Sequence, residues 1–161
     1  MIEERYELAL DRIRLMQTED TVGEPYRDYF KKLAEFVLML DELRTELLDG
    51  RYQKLELDEL RKWNRRLYQD VLPGQYEKSY ANPDYACKML GKESGQILGM
   101  LYAELRGAVV YVFEGKTEYL AILYELLIEV YNQFEEEPDP KAVRDTFYWY
   151  ASDYCDVFLA D

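Results

Sequence analysis

No histidine occurs anywhere in these 161 residues. Ser-His and Cys-His nucleophilic pairs need imidazole as their base, and HExxH and other His-ligated metal sites need it as a ligand. The chain can supply none of these. Cysteine is almost as scarce: Cys87 and Cys155 are the two present, without metal-knuckle or redox-pair spacing. Both read as small buried hydrophobes in a reducing compartment, with a disulfide between them as the alternative. Long apolar runs are missing too. The longest uncharged ones, residues 36–40 and 108–113, fall well short of the roughly 20 residues that span a bilayer. The start, Met1-Ile2-Glu3-Glu4-Arg5, lacks the basic-then-apolar order of a secretory signal. A cytoplasmic protein with no membrane partner is the expectation. Positive charge is also short, with 20 Lys and Arg against 33 Asp and Glu, a net of -13. Phosphate backbones and anionic lipid need a net basic face, so nucleic acid is not an expected partner.

What is present is a foldable soluble composition, 48% hydrophobic and 33% charged. A chain of this size buries roughly 70% of its unfolded surface and needs no disulfide or metal staple, so one domain covering 1–161 is expected. Apolar spacing of three and four recurs along it. Ile2, Tyr6, Ala9, Ile13 and Met16 share one helical face, as do Tyr29, Leu33, Phe36, Leu40, Leu43 and Leu47. Pro25 suits a first helical turn, and Gly50 suits a left-handed stop. Asp58 reads as the N-cap of a helix with Leu60, Trp63, Leu67 and Val71 inside, ended by Pro73-Gly74. Asn82-Pro83 starts a long helix that runs to about Glu114, where Gly115 stops it. Thr117 is the cap expected for the next helix, which has Leu120, Leu123, Leu127, Val130 and Phe134 inside. Asp139-Pro140 starts the last, with Val143, Phe147, Tyr150, Tyr154 and Val157 as its stripe. The β-branched segment 109–113 suits a strand by composition, but its neighbours are helical. The expectation is an all-α bundle of about six helices.

Gly91, Gly95, Gly99 and Gly107 recur at four-residue multiples, with Ala103 between the last two. On one helix they form a smooth ridge. Each costs about 1 kcal/mol against alanine, so close helix packing or docking of a second subunit should compensate. Glu118, Glu125 and Glu129 alternate with an apolar stripe and read as an outward acidic face rather than as metal ligands. No catalytic, metal or cofactor residue is expected in this chain. Charge is uneven: residues 81–161 hold 6 basic and 15 acidic side chains, against 14 and 18 before them. The one locally basic stretch comprises Arg51, Lys54, Arg61, Lys62, Arg65 and Arg66 around Trp63, its arginines expected on the side away from Trp63. Sixteen tyrosines read either as a core whose hydroxyls reach the surface or as a contact surface for a domain or peptide. Tyr148-Trp149-Tyr150 puts rings on more than one side of the last helix.

Two stretches carry a resemblance. NPDYACKMLGKESGQILGMLYAELRGAVVYVFEGKTEYLAILYELLIEVYNQFEEE (82–137) and KAVRDTFYWYASDYCDVFLAD (141–161) resemble the amino-terminal helical region of bacterial metallo-aminopeptidases related to aminopeptidase T (leucyl aminopeptidase). The resemblance implies a catalytic part further along the polypeptide, with a two-metal centre of Glu, His and Asp ligands. None of those ligands can be assigned here. It further implies that this chain is an N-terminal fragment, an accessory domain that shapes active-site access or subunit assembly. Its partner would be the catalytic domain of its own polypeptide, another subunit or a peptide. A last helix still apolar and periodic at Asp161, with no capping residue, suits such a fragment. The alternative is a free-standing helical interaction or dimerisation module.

Overall fold

Apolar periodicity becomes packing in the first two helices. In α1 (Ile2–Met16), Tyr6, Ala9, Leu10, Ile13 and Met16 are buried on one face. In α2 (Tyr26–Leu48) the buried stripe includes Tyr29, Phe30, Leu33, Val37, Leu40 and Leu43. The structure, a computed structural model, describes residues 1–48 and 57–160, without the side chains at 154, 155 and 157–160. The expected stop at Gly50, the basic positions Arg51 and Lys54, the stripe positions Tyr154 and Val157, and the Cys155 thiol lie outside the described residues.

The remaining elements are α3 (Leu57–Leu67), two 3-10 turns at Gln69–Val71 and Tyr76–Lys78, α4 (Pro83–Leu90), α5 (Lys92–Gly107), α6 (Val109–Glu114), α7 (Thr117–Phe134) and α8 (Pro140–Ala160). The fold is an all-α multi-helix bundle, with no strand among the described residues. At its centre is α7, apolar nearly all round from Tyr119 to Phe134. Such a helix needs neighbours on every side, and it has α1, α8, α6, α5 and α2 around it. Burying each of its leucines stabilises the fold by about 1.5–3 kcal/mol. Arg5 on α1 clamps Glu125 on α7 with two hydrogen bonds, Nε to Oε2 at 2.6 Å and Nη2 to Oε1 at 2.5 Å. Glu125 therefore faces a neighbouring helix and not open solvent as expected.

The long helix expected from Pro83 to Glu114 is three. Gly91 stands at φ +89°, which L side chains rarely adopt, and separates α4 from α5. Ala108 forms a turn, its N–H bonding Leu105 O at 3.1 Å, and sends α6 off so that Val109 and Val112 are buried. Caps hold where a side chain can reach. Asn82 Oδ1 accepts from Asp84 N at 3.1 Å and Asp139 Oδ1 from Lys141 N at 3.1 Å, each before a proline. Asn82→Ala should lower stability by about 1 kcal/mol; urea unfolding with an unchanged midpoint would show that this bond contributes nothing. Thr117 is not a cap. Lys116 holds that position, and the Thr117 hydroxyl accepts from Arg44 Nη2 at 3.5 Å.

The α3 face is narrower than its sequence suggested. Trp63 and Leu67 are buried, but Leu60 and Val71 are 39% and 40% exposed. Trp63 Nε1 donates to Glu46 Oε2 at 2.9 Å. Arg66 lies 4.9 Å over the Trp63 ring and reaches Glu42 Oε2 at 2.5 Å, so it faces α2 rather than away from it.

Candidate functional site: an aromatic groove between α5 and α8

Helix α7 cannot be covered evenly by its neighbours. Between α5 and α8 a groove of about 390 Å³ stays open, lined by Met100 and Glu104 of α5, Tyr111 of α6, Leu123 and Leu126 of α7, and Phe147, Tyr148, Tyr150 and Ala151 of α8. Leu123 and Leu126 form its buried floor, while Met100 and Tyr148 are 58% and 74% exposed at its walls. Trp149 and Val110, next in sequence to lining residues, are exposed too. Met and aromatic side chains of this kind are what protein contact surfaces concentrate.

Three of the four ridge glycines do not meet another helix. A Cβ added at Gly95 would stand 2.6 Å from Cys87 Cα and 2.8 Å from Cys87 N, so only glycine lets α4 and α5 approach here. At Gly91, Gly99 and Gly107 nothing lies within 4 Å of such an atom. The ridge is broken at Gly91, whose backbone leaves helical geometry. Packing within the bundle accounts for Gly95 alone. Ala103 and Gly107 are exposed and Gly99 is half-buried on α5. Cys87 is half-buried, its thiol 3.8 Å from Lys92 O, and not wholly buried as expected.

Carboxylates act on two of the groove's tyrosines, and one of these carboxylates, Glu125, is also paired with Arg5. The Tyr150 hydroxyl is pushed up to about 12 by burial and by Glu129, Glu125 and Asp153. Burial, Glu104, Tyr119 and Glu114 raise Tyr111. Both hydroxyls therefore stay protonated at neutral pH, and each ring carries a hydrogen-bond donor at its tip.

Other polar clusters tie helices together. Arg44 of α2 contacts Glu3 Oε1 and Oε2 at 2.9 Å and stacks 4.2 Å over the Tyr6 ring, while Tyr6 Oη donates to Asp41 Oδ1 at 2.8 Å. Asp70 collects Ser79 Oγ at 3.2 Å, Tyr102 Oη at 2.5 Å and Arg106 Nη1. Burial opposes its ionisation, but Tyr102, Arg106 and Ser79 outweigh that and hold its carboxyl below the usual range. Every member of each cluster is engaged by a neighbour. No group of three or more His, Cys, Asp or Glu among the described residues is placed to hold a metal ion.

Among the described residues, one stretch, Lys92–Glu114, is long and apolar enough to cross a membrane by length and composition, with a mean hydropathy of 1.2. The structure divides it at Ala108, and its inner residues Leu98, Leu101 and Leu105 are in the protein core. No family model, curated protein or solved structure matches the chain.

Proposed function

We propose that this chain is a non-catalytic helical contact module, an accessory domain that docks a basic, amphipathic helical segment of its partner in the groove between α5, α6, α7 and α8. One observation carries this reading: an aromatic hollow open to solvent, lined by Met100, Phe147 and Tyr148, with the Glu104 carboxylate on its wall and Glu129 and Asp153 acting on the Tyr150 hydroxyl. Apolar anchors at helical spacing would fill it, and flanking Lys or Arg would meet these carboxylates. Anionic lipid is repelled by the same charges. In the accessory-domain reading the segment belongs to the catalytic part of an aminopeptidase-like polypeptide, and docking shapes access to that active site or the assembly of subunits. In the free-standing reading it belongs to another subunit. Reading the gene through the codon for Asp161 separates the two.

The binding itself is tested by titrating the protein with a designed leucine–lysine amphipathic helix in a calorimeter. Saturable one-to-one binding is expected, weakened by about tenfold or more in the Met100→Glu, Tyr148→Ser double variant, the scale of losing an anchor. Met100→Glu adds negative charge, so mere attraction to an acidic chain would grow. Equal or tighter binding by the double variant sinks the reading. So does adsorption to zwitterionic vesicles without binding of the peptide, which would reassign the face to a membrane.

A further inference from the structure

A second hollow has the opposite chemistry. Arg61, Asn64, Arg65, Tyr68, Val71 and Leu72 enclose about 460 Å³ along the outer side of α3 and the turn that follows. Arg61 and Arg65 are four residues apart on α3 and so share one face. The ion pair of Arg61 with Asp58 is a loose one, at 3.8 Å between exposed ends, and Arg65 has none among the described residues. The apolar floor is open, with Val71 and Leu72 40% and 42% exposed.

This hollow is held in shape from behind. Arg106 lies 4.9 Å over the Tyr68 ring and bonds Asp70, whose carboxylate also takes Tyr102 and Ser79. The turn Gln69–Val71 that carries the floor is thereby pinned to α5. A preformed surface loses little freedom on binding.

We propose that this face is a second docking surface, and that its occupant is an acidic segment of a partner protein whose carboxylates meet Arg61 and Arg65 while an apolar side chain covers Val71 and Leu72. Charge argues for that occupant. Arg61 and Arg65 are the charged residues lining the hollow, and no carboxylate lines it with them, in a chain whose net charge is -13. Guanidinium forks match carboxylates with two parallel hydrogen bonds. The chain as a whole repels an anionic segment, so any affinity for one is local to this face. A long polyanion such as nucleic acid would extend onto the acidic remainder and be repelled there. The surface is independent of the aromatic groove.

The test is a fluorescence titration with a labelled peptide of alternating glutamate pairs and leucines, beside the same peptide with Gln for Glu. The glutamate peptide is expected to bind, less tightly as salt rises, and the glutamine peptide to bind far more weakly. Arg61→Gln with Arg65→Gln should cost about tenfold or more in affinity, and Leu72→Gln a smaller factor. These side chains are exposed, so an unchanged far-UV spectrum will show that the variants fold. The groove variant Met100→Glu, Tyr148→Ser should bind the peptide as before. Binding unaffected by the arginine changes overturns the proposal. So does full displacement by millimolar inorganic phosphate, which would make this a simple anion site. A doubling of mass abolished by the arginine variants also overturns it, since the occupant would then be a second copy.

Discussion

Gly95→Ala is expected to destabilise the bundle by about 1–3 kcal/mol, the usual range for overpacking a well-packed site. Alanine is the better helix former by about 1 kcal/mol, so propensity alone gives the opposite sign. The added methyl would stand 2.6 Å from Cys87 Cα, and what it meets is backbone of α4 that cannot rotate away. Gly99→Ala is the internal control. Nothing lies within 4 Å of its added carbon, so stability should rise by up to about 1 kcal/mol. Urea midpoints of the two variants should move in opposite directions. A gain at Gly95 would mean that α4 and α5 are not in contact there.

Asp70→Asn is expected to cost about 2–3 kcal/mol. Arg106 and Asp70 are 15% and 25% exposed, and removing one partner of a partly buried pair leaves the other charge uncompensated. Tyr102 also loses a charged acceptor. The interaction has a pH signature of definite sign. The folded carboxyl titrates below its ordinary value, so its stabilising contribution is complete above about pH 5, where the unfolded group is ionised, and is lost as pH falls through the folded value. Between pH 4 and pH 2 the wild-type protein should lose more stability than Asp70→Asn does. Parallel acid-unfolding curves would show that Asp70 carries no such linkage.

The helices most legible in the sequence are those whose burial pattern repeats along one element. Tyr6, Ile13 and Met16 on α1, and Leu33, Val37 and Leu40 on α2, are placed as their spacing implies, because a solvent-facing helix has one apolar side. Gly115 stops α6 at φ +69°, as expected of a glycine following an apolar run. Gly91 was not legible. A glycine serves both as a ridge position and as a left-handed break through the same missing Cβ, and a four-residue interval fits either use. Leu60 and Val71 misled because periodicity shows which side is apolar, not whether a neighbour covers it. The groove was half legible. Rings on more than one side of α8 are visible in Tyr148-Trp149-Tyr150, but that Met100 and Glu104 of α5 stand opposite them follows from helix pairing across the bundle. Nothing in one helix's own sequence encodes that pairing. The Asp70 hub is of the same kind: its partners Ser79, Tyr102 and Arg106 come from a connector and a later helix.

Amide chemical shifts of the labelled protein, followed while the leucine–lysine peptide is added, locate the contact directly. The largest saturable shifts should fall at Met100, Glu104, Tyr111, Phe147, Tyr148 and Ala151, the residues around the groove, and persist when salt screens the exposed carboxylates. Shifts spread evenly over acidic positions such as Glu7, Glu35 and Glu136, and erased by salt, would contradict a docking groove and leave only charge attraction.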